Sequence, residues 1–169
     1  MTDSRRDPAA PGDAERAAQR GLFAARTRGR ELALKYLYQW DARRGVDVGS
    51  FDAFAIVEDE RGAAVDYGRR LVDGVLRRRD EIDERLKTLA KNWSLHRMAT
   101  VDRNVLRIGA YEMIMPEPQP PGVAINEAVE LGKKYGASQS GKFINGILDK
   151  LSRTPGFLVA PRPAGDGKE

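Results

Sequence analysis

Apolar residues recur along this chain at helical spacing from about residue 27 to residue 152. Ala33, Tyr36, Leu37 and Trp40 fall at i, i+3, i+4 and i+7, which predicts a helix from about Thr27 to Arg43 that ends at Gly45. Ser50 can cap a short helix over Phe51, Asp52, Ala53 and Phe54. Val65, Gly68, Val72 and Val75 give a second stripe, and Ile82, Leu86, Leu89 and Trp93 a third. The segment Asp102 to Ile114 is apolar on nearly all sides, so its neighbours must cover it from several directions and it is predicted to be central. Prolines at 116, 118, 120 and 121 then break the chain. Ile125, Ala128, Val129, Gly132 and Tyr135 form a fifth stripe, closed by Gly136 as a C-cap. Phe143, Ile144, Ile147, Leu148 and Leu151 form the sixth, with Ser138 or Ser140 as its N-cap. No strand-like alternation appears, so the fold class is all-α.

The two ends differ from this middle. Met1 to about Ala25 has almost no large apolar residue and cannot offset its ordering entropy, so it is expected to be a disordered basic extension. Thr154 to Glu169, with three prolines and three glycines, is expected to be a flexible tail. One folded unit between them, about residues 26–153, suits a chain of 169 residues with 41% apolar content. No apolar run is long enough to span a membrane and no signal-peptide pattern opens the chain, so a soluble, cytoplasmic protein is expected. Without cysteine there is no thiolate chemistry and no cysteine-ligated metal, and His96 alone makes no metal cluster. Neither cofactor nor metal is expected.

Charge changes the picture more. The net +4 hides two basic windows: Arg16–Lys35 carries +5 and Gly132–Arg153 carries +4, while the remainder is acidic. Clustered positive charge points to a polyanionic partner, with nucleic acid the commonest, against the alternative of a solvated face. The stretch GASQSGKF, Gly136 to Phe143, has the glycine and lysine spacing of a phosphate-binding loop. It sits between two amphipathic helices, where such a loop would follow a buried strand. It also has Phe143 where a magnesium-ligating Ser or Thr would stand. Nucleotide hydrolysis is therefore not expected, although the start of the last helix can still attract an anion.

Three segments carry a resemblance: RTRGRELALKYLYQW, VDRNVLRIGAYEM, and VAINEAVELGKKYG followed by SGKFINGILDKL. In this order and spacing they resemble the NusB transcription antitermination family. The resemblance implies two small three-helix bundles and a non-enzymatic role. It implies pairing with the ribosomal protein NusE, binding of single-stranded boxA RNA in ribosomal RNA leaders, and, through other Nus factors, association with the RNA polymerase elongation complex. It leaves monomer and homodimer both open. The alternative is a stand-alone helical protein- or RNA-binding module related to the N-terminal domain of ribosomal RNA cytosine methyltransferases. No glycine-rich methyl-donor turn and no cysteine nucleophile support that reading.

Carried over residue by residue, the resemblance implies RNA contact by Arg26, Arg28 and Arg30. Positive charge at a helix start opposes the helix dipole, so a purely structural reason for the cluster is weak. Gln139 and Lys142 match a second RNA-facing surface. Phe143 belongs to the core stripe, which makes packing its first role, although bases also stack on aromatics. Asp102 is expected to cap the central helix and, with Tyr38, to face the partner. Asn126 and Glu127 are read as structural hydrogen-bonders. Gly146 costs about 1 kcal/mol of helix propensity, which close packing would explain. Gly29 and Gly132 stand where the family usually has alanine and are expected to loosen their helices.

Overall fold

The computed structural model describes residues 11–90 and 94–158. Among them there is no strand, and seven α-helices follow one another: α1 (Pro11–Ala42), α2 (Phe51–Val57), α3 (Ala63–Arg77), α4 (Arg79–Leu89), α5 (Thr100–Glu112), α6 (Pro121–Tyr135) and α7 (Ser140–Ser152). A single 3-10 turn, Leu95–Arg97, precedes α5. Trp93, assigned to the third apolar stripe, lies outside the described residues, as do residues 1–10 and 159–169.

Helices α1, α2 and α3 pack together as one bundle, and α5, α6 and α7 as a second, with α4 laid against α5 and α7. The central position predicted for the all-apolar segment is observed. Every residue from Asn104 to Met115 is buried, and α5 touches α1, α3, α4, α6 and α7. No helix among the described residues is long and apolar enough to cross a membrane.

Several local expectations are met for the stated reasons. The Ser50 hydroxyl accepts from the Ala53 N–H at 3.2 Å and starts α2. Gly45, just past α1, adopts φ +77°, a conformation glycine tolerates best. Others are corrected. The first helix begins at Pro11 rather than near Thr27, so residues 11–25 are helical where disorder was expected. The reason is propagation: once the packed part of α1 supplies a nucleus, an alanine- and arginine-rich stretch continues it at little cost. Pro11 at the first helical position and Asp13 in the first turn favour that start. The C-terminal segment expected to be a loose tail is docked as far as Phe157, which is 5% exposed. Neither Ser138 nor Ser140 caps α7: Gln139 holds the N-cap position, and the Ser140 hydroxyl instead accepts from the Ala137 N–H at 2.9 Å.

The glycines do not loosen their helices. A Cβ on Gly29 would lie 2.8 Å from the Ala64 carbonyl oxygen, so α1 and α3 cross backbone to backbone there, and one on Gly132 would lie 2.4 Å from Ile144 Cδ1. Gly146 is the reverse, since nothing lies within 4 Å of its hypothetical Cβ and close packing does not explain it. Gly146→Ala is therefore expected to stabilise the fold by about 0.5–1 kcal/mol, read as a raised thermal midpoint.

Polar residues buried on α5 are held by two networks. At one end Asp41 accepts from Arg103 at 2.7 Å, Asn104 at 3.0 Å and Arg107 at 3.2 Å, while Arg107 forks onto Asp83 at 2.8 and 2.9 Å. Burial alone would raise the Asp41 carboxyl, but the Arg103 hydrogen bond and the charges of Arg107 and Arg103 outweigh it and hold it below its ordinary value. The stability Asp41 adds is thus present above the ordinary carboxylate range and is lost as pH falls below about 3.9. Asp41→Asn is expected to cost about 1.5–3 kcal/mol at neutral pH. Parallel denaturant titrations should show that gap narrowing below about pH 4.

Candidate nucleic-acid interface

Of the three arginines at 26, 28 and 30 in α1, the first and last lie at i and i+4 on one helical face, and Arg28 between them points away from it. Arg30 continues the inward stripe of Ala33 and Leu37 and is only 1% exposed. Its Nε and Nη2 donate to the Glu112 carboxylate at 2.7 and 2.8 Å, and the Tyr67 hydroxyl donates to the same carboxylate at 2.6 Å. The Arg30 guanidinium also lies 5.5 Å from the Tyr67 ring centroid. Burial, the Glu112 charge and its hydrogen bond push the Tyr67 phenol far up, so it stays a donor. Arg30 is thus a structural tie between α1, α3 and α5, and the expectation that it contacts RNA is corrected: its side chain is buried, with Nε and Nη2 held by Glu112.

Arg26 is half-buried over the same Tyr67 ring, at 5.7 Å. Arg28 is exposed, with its guanidinium between Glu31, at 3.4 Å, and Glu60. Glu31 also accepts from Lys134 at the end of α6, at 2.6 Å. Two cations from helices far apart in sequence therefore flank one carboxylate. Lys134 lies in turn 5.3 Å from the Tyr135 ring centroid, and a Cβ on Gly141 would touch Lys133 Cγ at 3.1 Å. Exposed Arg28 and Lys134 thus flank Glu31, and exposed Lys133 packs at Gly141 in the first turn of α7, the residue before exposed Lys142.

Gln139 and Lys142 are both exposed at the α7 N-terminus, where the first-turn N–H groups lack intrahelical acceptors and the dipole favours an anion. A cleft of about 420 Å³ beside them is lined by Arg97, Met98, Asp102, Gln139 and Phe143 among others. Phe143 is half-buried against the core and also forms part of this wall, so its packing role and its exposed edge coexist. Asp102 does not cap α5. It is the third residue of a helix that starts at Thr100, two residues earlier than expected, and Ala99 occupies the N-cap. Its Oδ1 is buried without a hydrogen-bond partner.

Tyr38 is 46% exposed and lines a second cleft, about 470 Å³, with Leu34, Lys35, Glu58, Val101 and Tyr135. Val101 borders Asp102, and Tyr135 lies two residues before Ala137, so the clefts holding Tyr38 and Asp102 adjoin across the first turn of α5. The structure therefore sets Tyr38 beside Tyr135 and Val101 in one cleft and Asp102 beside Gln139 in the adjoining one, leaves Arg28 and Lys142 exposed and Arg26 half-buried, and withdraws Arg30. Lys133, Lys134 and Tyr135 stand beside these residues although sequence reasoning counted those lysines only as charge. Basic residues in the last turn of a helix favour its dipole, and that ordinary reading hid their second use. Glu127, read as a structural hydrogen-bonder, lies 3.4 Å from Arg30 Nη1 as part of an ion pair.

Comparison with known proteins gives consistent matches. The NusB family model matches residues 27–153. Transcription antitermination protein NusB of Anaeromyxobacter dehalogenans is 45% identical over 132 residues, covering 78% of this chain and 92% of that protein. Its counterpart in Geobacter sulfurreducens is 44% identical over 134 residues, covering 78% and 96%. Among solved structures, T. maritima NusB superposes with a TM-score of 0.65 at 36% identity, covering 74% of this chain and 88% of that one. A chain from a crystal structure of antitermination factors NusB and NusE in complex with double-stranded RNA superposes with a TM-score of 0.66 at 34% identity, covering 75% and 95%.

Proposed function

Because the chain belongs to the NusB family, we propose that it is a transcription antitermination factor that holds RNA along a cation line from Arg28 to Lys142 and a NusE-type protein on the adjoining clefts. It works by binding and is not an enzyme. The observation that carries the reading is the shared carboxylate: Glu31 holds both Arg28 of α1 and Lys134 of α6. That contact makes two basic helix ends one surface. Exposed guanidinium and ammonium groups there can neutralise phosphates while remaining wet, and Gln139 supplies a neutral donor and acceptor for a base edge.

The partner reading is supported by the Tyr38 and Asp102 clefts, which are apolar with isolated polar groups. Asp102 Oδ1 is an acceptor awaiting a donor, which a partner N–H would supply. The RNA is proposed to be the single-stranded boxA element of ribosomal RNA leaders, with the complex joining the RNA polymerase elongation complex in the cytoplasm through other Nus factors. The folded unit is taken as the family-matched residues 27–153 together with the docked segment to Phe157, and α1 extends it at the N-terminal side.

Titration with three RNAs, alone and with NusE, tests this. A boxA-containing single strand is expected to bind more tightly once NusE is added, and more tightly than a scrambled strand. Its affinity should fall with salt at a slope of roughly −0.7 per neutralised phosphate. Equal binding of the scrambled strand with NusE present would overturn the sequence-specific part. Tighter binding of the duplex would overturn the single-strand part.

A further inference from the structure

Helix α1 extends well before the matched family unit, which begins at residue 27. Every side chain from Asp13 to Ala24 is exposed, so this part of the helix stands off the body as an arm. Along it Arg16, Arg20, Phe23, Thr27 and Glu31 fall at i, i+4, i+7, i+11 and i+15, a single stripe of the helix. The stripe's direction is fixed at its inner end. Phe23, Thr27 and Glu31 line a cleft of about 320 Å³ with Glu130, Leu131 and Lys134 of α6. It therefore faces the side on which Lys134 sits, and runs outward in line with the cations proposed to hold RNA.

We propose that this arm is an extension of the RNA-binding surface, with Arg16 and Arg20 taking phosphates and Phe23 stacking a base; this rests on the RNA reading above. Three observations choose RNA as the occupant. Phe23 is 53% exposed, a large aromatic held in water one turn beyond Arg20, which suits a base following two phosphates along a strand. Phe23 and its exposed neighbour Leu22 are the only large apolar side chains between Arg16 and Thr27, too few for the repeated anchors a partner helix would bury. Among the described residues Arg16 pairs with Asp13 at 3.6 Å with both side chains more than half exposed, a pair weak enough for a phosphate to displace. From Glu31 to Arg16 the helix rises roughly 22 Å, the length of about six nucleotides stacked at roughly 3.4 Å each.

The test compares two strands on the full-length protein: a core RNA just long enough for the Arg28–Lys142 surface, and the same RNA lengthened by six nucleotides, at its 5′ end in one arm and its 3′ end in another. The unmodified protein should bind one lengthened strand more tightly than the core. Arg16→Ala with Arg20→Ala should reduce the magnitude of its salt slope on that strand by about 1.4, and Phe23→Ala should weaken it by roughly fivefold or more. Neither variant should change core binding. Equal binding of core and both lengthened strands, or equal losses on core and lengthened strands, would overturn the arm proposal while leaving the surface reading intact. Loss of NusE affinity with RNA affinity unchanged would overturn it in favour of a protein contact. Failure of the unmodified protein to bind the core strand would overturn the RNA reading itself, and the arm with it.

Discussion

Arg30→Ala is expected to lower stability by about 3–5 kcal/mol, because it leaves the Glu112 carboxylate buried without its cation. For a chain of this size that corresponds to a fall of roughly 10 °C or more in the thermal midpoint. Glu112→Gln should cost a similar amount by stranding the guanidinium, whose remaining neighbour, Glu127, lies at 3.4 Å without a hydrogen bond to it. The double variant Arg30→Met with Glu112→Leu should recover much of the loss, since an apolar pair of similar volume carries no desolvation penalty. Thermal melts of the four proteins test this together. A loss under about 1 kcal/mol for Arg30→Ala would mean that Arg30 is not tied down as described, and would reopen RNA contact by its side chain.

The second large effect falls on binding. Arg28, Lys134 and Lys142 are exposed, whereas the Glu31 carboxylate that Arg28 and Lys134 share is only 9% exposed. Replacing all three by alanine should leave the helical content unchanged and lower the stability by about 1–3 kcal/mol, because Glu31 loses both cations. The salt slope for a boxA strand should lose about 2 of its magnitude, from three phosphates at roughly 0.7 each. Fluorescence anisotropy at several salt concentrations reads it. An unchanged slope would remove these three side chains from the interface. The contrast between the two experiments separates arginines that look alike in sequence: one sustains the fold and its neighbour two residues away is proposed to bind RNA.

How much of this could be read beforehand depended on the range of the interaction. The helical periods, the proline break and the central placement of the 102–114 segment are local patterns, and the structure reproduces them. The burial of Arg30 was also readable, since it precedes Ala33 and Leu37 by three and seven residues on the inward face. A single acid, Glu112, stands near the end of a run that every neighbour covers. Reading three arginines as one cluster obscured both facts. The tie between them spans 82 positions, and the bond from Lys134 to Glu31 spans 103; no local pattern encodes pairings of that reach. Asp102 was misassigned as a cap because α5 starts one residue after Ala99, on a turn with no capping side chain. For Gly146 no packing reason is visible in the structure. The arm was missed because low apolar content argues against burial, and a helix propagated from a packed neighbour needs no burial of its own.

The proposed RNA grip requires one surface joining the first and last helices. The most direct measurement is a titration of isotope-labelled protein with one short boxA strand, following the backbone amide signals of Arg28, Lys134 and Lys142. All three are expected to shift with a common midpoint, as one ligand lying across all of them requires. Shifts at residue 142 that saturate while residue 28 stays still, or that follow a different midpoint, would contradict a single grip.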